Sequence, residues 1–506
     1  MKKIILLIAV FCVFCVGALR AQSPVRGLTV NGANDTLRTI ETTPRFVGPT
    51  GELHRYPALT INGQVLPAPD LTALTFEAMT AGAVVTFTPT SYIPTLSIQY
   101  SFNGGAWTNY TAPITLTNVG DKVSFRGNNA AYSVDPDGSD ECSNFSCSDS
   151  CYMYGNIMSL VDATNYPTNT TLTEEFTFSS LFSQNDYIFN HPTQMLYLPA
   201  TTLTNYCYSN MFGGCTELTI APALPATTLD TSCYAEMFNN CLSLTAAPEL
   251  PATTLQESCY QSMFYNDISL TTAPALPATT LAENCYEEMF RDCINLTTAP
   301  ALAATTLQDY CYAAMFYGCT RLTTVPSELP ATTLAVSCYQ GMFQDCTDLT
   351  TAPALPAATL TESCYRAMFI GCTSLTTAPE LPATTLEEYC YSEMFVDCKS
   401  LTTAPTLSAT VLANGCCLGM FKDCENLTVA PELSAPTLVE SCYYNMFNGC
   451  MSLNSVTCLA TDITATSCIR YWLDGVAASG TLYKASTMLD WAVGVNVPSG
   501  WTIVNK

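Results

Sequence analysis

Residues 360–375 read LTESCYRAMFIGCTSL. Leu360, Cys364, Met368 and Cys372 stand four apart, with Tyr365 and Phe369 beside them. At about 3.6 residues per turn this spacing predicts a helix with one apolar face. Thr361 fits its start and Gly371 its end. Glu362, Ser363, Arg366 and Ala367 fall between the apolar positions and are expected in solvent. The next stretch, Leu375-Thr376-Thr377-Ala378-Pro379, reads as a short extended segment that proline interrupts.

The same string recurs. Cysteine falls at 207, 233, 259, 285 and 311, then at 338, 364, 390, 416, 442 and 468. The period is 26, with one step of 27 near Ser327-Glu328. Met-Phe follows four residues after each of the first ten cysteines, and a leucine eleven residues after, from Leu218 to Leu453. A second cysteine stands eight residues on in every copy but the third, where Asp267 replaces it. The predicted core of a copy is thus Cys207, Met211, Phe212, Cys215 and Leu218, or Cys364, Met368, Phe369, Cys372 and Leu375.

One copy cannot fold alone. It buries some six or seven side chains at roughly 1.5–3 kcal/mol each, while ordering its residues costs about 1.5 kcal/mol apiece. Stacking closes that gap by burying one copy against the next. The expected fold is an α/β leucine-rich-repeat solenoid of about ten 26-residue strand-helix repeats, preceded by a small all-β, immunoglobulin-like domain.

The string Cys364-Tyr-x-x-Met368-Phe369-x-x-Cys372-x-x-Leu375 resembles the leucine-rich repeat of BspA-like bacterial surface proteins, whose usual pattern is Ile-Gly-x-x-Ala-Phe-x-x-Cys-x-x-Leu. Cys364 takes the buried Ile slot, Tyr365 the Gly slot and Met368 the Ala slot. Phe369, Cys372 and Leu375 match directly. The copies run about three residues longer, through a Pro-Ala-Thr-Thr insert. The resemblance extends to residues 151–160 and 491–504, and this variety resembles proteins common in gut Bacteroides and their relatives. It implies a curved solenoid outside the cell, often linked to adhesion or host contact.

The N-terminus agrees with export. Lys2 and Lys3 precede the apolar run Ile4 to Val16, and Leu19-Arg20-Ala21 offers a cleavage point, so residues 1–21 read as a signal peptide. Cys15 follows Phe14, which argues against a lipid anchor. Cleavage removes Lys2, Lys3 and Arg20, leaving 14 basic against 42 acidic side chains, a net charge of −28. Such a surface repels nucleic acid and anionic membranes.

The remaining organisation follows from composition. Residues 22–75 read as a linker or small module. Residues 76–150 read as a β-sandwich, with strands at 83–87, 97–101, 114–117 and 122–125, and with turns at Asn103-Gly104-Gly105 and Gly120-Asp121. Asp135 to Glu141 has the flavour of a calcium loop but lacks the EF-hand spacing, which favours a solvated acidic loop. Residues 151–195 hold an N-terminal cap and a degenerate repeat in which Leu181-Phe182 fills the Met-Phe slot. The solenoid spans 196–470. Residues 471–506 form a C-terminal cap, with Trp472 in the methionine slot.

The 27 cysteines raise the question of disulfides. On a helix the two cysteines of one copy would lie about 12 Å apart, beyond a disulfide's reach of about 7 Å. Neighbouring helices at roughly 8–10 Å fit bridges poorly as well. The repeat cysteines therefore read as small buried hydrophobes. Cys142, Cys147, Cys151 and Cys458 stand off the ladder and are better disulfide candidates. With only His54 and His191, and no close Cys-x-x-Cys pair in the repeats, no metal site and no cofactor is expected. No triad or phosphate loop is evident, so the chain reads as a non-enzyme.

Nine threonines follow the leucines: Thr219, Thr245, Thr271, Thr297, Thr323, Thr350, Thr376, Thr402 and Thr428. By strand alternation each points out, and the variable residue after it points in. This row is the candidate contact surface for a protein or glycan outside the cell, the alternative being a self-satisfied hydroxyl ladder. The expected protein is a monomer at the cell surface, serving in adhesion, as a spacer or coat element, or as a glycan-binding module.

Overall fold

The computed structural model describes residues 72–93, 96–134, 141–489 and 491–506, together with the backbone of four short strands nearer the N-terminus. The signal segment, most of 22–71 and the acidic stretch 135–140 lie outside the described residues.

Residues 1–69 form a unit of their own. It holds two antiparallel pairs, β1 (Gly27–Thr29) with β2 (Arg38–Ile40) and β3 (Leu59–Ile61) with β4 (Gln64–Leu66).

The second unit, 70–506, starts with strands β5 (Leu74–Ala78), β6 (Ala83–Thr88), β7 (Ile98–Phe102), β8 (Thr108–Asn109), β9 (Ile114–Leu116) and β10 (Lys122–Gly127). β11 (Ser133–Val134) pairs with β12 (Glu141–Cys142), and β13 (Asn144–Cys147) and β14 (Cys151–Asn156) follow. The four stretches expected as strands coincide with β6, β7, β9 and β10. Asn103, Gly104 and Gly120 take the positive φ that their turns require. β13, β6 and β9 make one sheet, and β14, β5, β10, β7 and β8 belong to the other. Phe76, Phe87, Phe125 and Phe145 pack between them, with ring centroids 4.8–5.9 Å apart.

The boundary expected at 150/151 is not a break. β14 pairs antiparallel with β5 and also parallel with β15 (Ile188–Asn190) and β16 (Leu196–Tyr197). The sandwich sheet thereby becomes the first rung of the array. Phe182, in the degenerate copy, touches Phe76 and Phe145 on one side and stacks on Phe212 on the other.

The expected strand-helix copy is overturned. Among the described residues there is no α-helix, only a short 3₁₀ turn at Ile157–Leu160. Residues 363–372 are a chain of four-residue turns instead. Ser363, Ala367 and Gly371 have φ of 54°, 58° and 70°, and the same every-fourth left-handed position recurs through the array. The amides alternate. Those of Ser363, Tyr365, Ala367, Phe369 and Gly371 donate to Glu388, Cys390, Ser392, Met394 and Val396 of the next copy at 2.8–3.1 Å. Those of Cys364, Arg366, Met368, Ile370 and Cys372 donate three residues back at 3.1–3.4 Å. Half of the backbone donors thus knit adjacent copies, where a helix would use every donor internally.

Ring spacing gives the physical reason. Phe182 through Phe447 form one column of parallel rings, neighbours 5.5–5.8 Å apart. Helices cannot approach below about 8 Å, so copies stacked at ring-contact spacing must pair backbone to backbone. A second column runs from Phe178 through Tyr208 to Tyr391 and stops where Cys417 stands in the tyrosine slot. Ser363 and Ala367, expected in solvent, are buried, because the left-handed residues sit against the next rung. The Thr361 hydroxyl does not cap a helix but donates to Ala335 O of the preceding copy at 2.7 Å.

Alanine gains nothing from a left-handed φ, which strains an L-residue by roughly 1–2 kcal/mol. Ala314, at φ 51°, is expected to give a more stable protein when changed to glycine, by about 0.5–1 kcal/mol once the added freedom of the unfolded chain is counted. Urea unfolding of Ala314→Gly measures this, and a lower midpoint would refute the strain.

The extended segment is equally reduced. It pairs through single parallel bridges such as Thr298↔Thr324, Thr351↔Thr377 and Thr403↔Val429. A true parallel sheet returns only at the C-terminus, with β17 (Glu432–Leu433), β18 (Ser455–Cys458), β19 (Gly480–Lys484) and β20 (Trp501–Asn505) in sequence order. There Trp472 stacks on Trp491 at 5.3 Å and closes the array.

Candidate binding surface

The nine threonines take the same position in successive copies, and bridges such as Ile220↔Ala246 and Thr351↔Thr377 pair the residues that follow them. Eight are exposed and Thr297 is half-buried. Four of the hydroxyls run along the array, those of Thr245, Thr323, Thr376 and Thr428 donating to the carbonyl of the threonine one copy earlier. Thr245 reaches Thr219 O at 3.2 Å, Thr376 reaches Thr350 O at 3.1 Å, and Thr428 reaches Thr402 O at 3.1 Å. Asn190, which sequence reasoning did not single out, starts the ladder. Its side-chain oxygen accepts from the amides of Thr219 and Ile220 and from the Thr219 hydroxyl, at 2.8–3.0 Å. At these positions the hydroxyl proton is used internally, leaving oxygen lone pairs and a methyl group on the surface.

The residue after each threonine does not point inward. Ile220 is 53% exposed and Val429 52%. A single bridge leaves the chain free to bend on either side, so the strict alternation of a pleated strand does not apply. The face thus carries two adjacent columns, one of threonine and one of Ile, Ala, Thr or Val.

The turn-bearing face holds most of the array's acids. It also contains one filled cation site. The Arg291 guanidinium lies 4.4 Å from the Tyr317 ring centre and 5.7 Å from that of Tyr265, and it pairs with Glu288 and Asp292. Glu77 forms a second polar cluster, with Lys122 at 3.1 Å, Tyr154 Oη at 3.1 Å and His191 Nε2 at 3.7 Å.

All ten predicted core residues are buried, Leu218 being 2% exposed and the others wholly enclosed. Their cysteines are free thiols. The second cysteine of each copy donates to the carbonyl of the phenylalanine one copy back, as Cys215 does to Phe182 O at 3.1 Å and Cys372 to Phe343 O at 3.0 Å. Burial pushes the Cys207 and Cys215 thiols up to about 12 and that of Cys364 to about 11, which leaves them protonated and unreactive. The four off-ladder cysteines are free thiols too. Cys142 is half-buried and Cys458 buried, while Cys147 and Cys151, on facing sheets, bring their sulfurs into hydrogen-bond contact.

Asp267 occupies the cysteine slot of the third copy. One carboxyl oxygen accepts from Cys241 N at 2.8 Å, and the other is buried with no hydrogen-bond partner. Burial raises its pKa well above the usual carboxylate value, against the opposing pull of the Cys241 amide. Asp267 is a structural acid sealed between rungs rather than an exposed ligand-binding group.

No protein-family profile and no curated protein matches the chain. Among solved structures it is similar to a leucine-rich repeat protein from Bacteroides ovatus, at 17% identity and a TM-score of 0.33 over 57% of this chain and 82% of the other. It is also similar to a leucine-rich cell surface protein from Faecalibacterium prausnitzii, at 14% identity and a TM-score of 0.29 over 61% and 90%. A chain from a TLR13-ssRNA13 complex matches at 10% identity with a TM-score of 0.23 over 61% and 53%. Such low scores carry no argument about fold or role; the solenoid rests on the copy-to-copy pairing itself, and the resemblance to BspA-like leucine-rich-repeat proteins on the Cys-Tyr-x-x-Met-Phe-x-x-Cys-x-x-Leu string.

Proposed function

We infer that this is an exported cell-surface repeat protein whose array presents an extended binding face to a protein ligand outside the cell, without catalysis. The observation that carries the reading is the paired column of threonines and small apolar residues from Thr219 to Val429. Each copy spends its leucines, aromatics and cysteines on the core. The exposed row is left as a regular surface, tied at Thr245, Thr323, Thr376 and Thr428 by hydroxyl-to-carbonyl bonds. Contacts repeated along such a row add through effective concentration, so weak single contacts suffice.

The mature chain should be screened against immobilised matrix proteins, mucin and polysaccharides. A protein hit that is lost in the triple variant Thr323→Lys, Thr350→Lys, Thr376→Lys supports the reading, since these exposed positions leave the core untouched. A hit unaffected by the triple variant removes the threonine face from the account. A polysaccharide hit favours the glycan-binding alternative. The spacer reading draws on β14, whose shared membership in the sandwich and array sheets makes a stiff joint suited to display; it predicts no ligand for the array at all.

A further inference from the structure

Where the sandwich meets the array, the turn-bearing face acquires a side wall. A groove of about 790 Å³ opens there. Tyr92, Ala131 and Val134 form the sandwich wall, and Glu174, Glu175, Phe176, Thr204, Asn205 and Asp230 line it from three successive copies. A ligand seated there would lose water on two sides.

The lining is anionic and aromatic. Glu174, Glu175 and Asp230 carry three carboxylates, and no Lys or Arg lines the groove. Among the described residues none of the three has an ion-pair partner. Tyr92 is half-exposed, at 50%. Phe176 lies flat on Tyr206, their rings 4.7 Å apart and 2° from parallel. Local bonds hold the walls in place: Thr177 and Thr204 hydroxyls both donate to Glu174 O at 2.6 Å, and Asn205 Nδ2 donates to Glu175 Oε1 at 2.8 Å. That last bond leaves Asn205 Oδ1 without a donor.

The chain itself shows what such a set of groups holds. Arg291 sits between two tyrosine rings with two carboxylates at its guanidinium, and Arg126 lies 4.3 Å over the Trp107 ring. The groove is lined by the same kinds of group, aromatic rings and carboxylates, and by no Lys or Arg. Carboxylates accept paired bonds from a guanidinium, and ring faces attract its charge.

We propose that this groove is a recognition site for an arginine side chain carried by an extended segment of a partner protein. The proposal adds a specific anchor to the surface-binding reading and rests on it for the partner being a protein. The chain's net charge of −25 draws such a partner in from a distance but does not select the groove.

Calorimetric titration at physiological salt with the peptide acetyl-Gly-Arg-Gly-Arg-Gly-amide tests this. Its citrulline counterpart keeps the shape and loses the charge. The arginine peptide is expected to bind and the citrulline peptide to bind at least about tenfold more weakly. Glu174→Gln with Asp230→Asn should weaken arginine binding by about tenfold or more. Phe176→Ser should weaken it severalfold, and it places in that slot the serine that Ser232 and Ser258 show is tolerated at the same positive φ. The control Glu387→Gln with Glu388→Gln, on the same face far along the array, should stay within about twofold. The proposal fails if the arginine peptide does not bind, if citrulline binds equally, if the groove variants bind like the parent, or if the control loses as much as the groove pair. A neutral oligosaccharide that binds there in place of the arginine peptide also overturns it. Groove variants that lose the peptide yet keep a whole-protein ligand separate this site from the threonine face.

Discussion

Phe316→Ala is expected to be the most damaging single truncation in the array, lowering stability by about 3–5 kcal/mol through the cavity it leaves. Phe316 is 1% exposed and touches Phe290 and Phe343, each ring centroid 5.7 Å away. Both stacks vanish together, each worth about 0.5–1.5 kcal/mol beyond area. In a linear array stability is a sum of copy and nearest-neighbour terms, so a lesion in the middle weakens both junctions it shares. The unfolding curve should therefore change shape as well as position. The parent should unfold in one urea transition, and Phe316→Ala should separate it into two steps, or broaden it with a lower apparent slope, as the halves uncouple. Fluorescence and far-UV circular dichroism against urea give both readouts. A parallel shift of under about 1 kcal/mol would mean that the ring column does not hold the copies together.

The second large effect has the opposite sign. Asp267→Cys is expected to stabilise the protein, and more so as pH rises. Phe238 O is the carbonyl to which a cysteine at 267 would donate, as Cys241 donates to Phe212 O at 3.2 Å and Cys293 to Phe264 O at 3.0 Å. Asp267 instead leaves one oxygen buried and unpaired, a loss of about 1–3 kcal/mol. The pH dependence follows from its raised folded pKa. Below the usual carboxylate value both states are protonated and the pH-linked part of the cost vanishes. Above it the unfolded chain releases a proton that the folded chain retains, so stability falls as pH rises, by about 1.4 kcal/mol per unit until the folded pKa is reached. The gap between variant and parent should then be small at pH 4 and wider at pH 7. Urea midpoints at the two values decide it. An equal gap at both, or a less stable variant, would show that the slot tolerates the carboxylate.

Copy length, the stacking requirement and the buried set were all legible in the sequence. Cys364, Met368, Phe369, Cys372 and Leu375 recur too regularly to serve anything but a shared core. The same residues also fit one face of a helix. A spacing of four drifts only about 80° over eight residues on a helix, so three such positions fit one face. They fit a chain of four-residue turns better, since the period there is a strict four. The distinguishing sign was in the sequence: the slot before the second cysteine is Gly371, Gly318, Asn240, Asn266, Asp292 or Asp397 in different copies, the residue types that accept a left-handed backbone. Only the tertiary arrangement shows why that slot matters.

The sequence by itself determined that the copies must stack, which residues they bury, and that the whole is acidic, because periodicity, apolar pattern and charge count are properties of the chain alone. The tertiary structure decided that copies meet at ring-contact distance and share backbone hydrogen bonds, which forbids helices, exposes both columns of the threonine face and builds the groove beside the sandwich. Those features depend on how far one copy lies from the next, and no residue within a single copy encodes that distance.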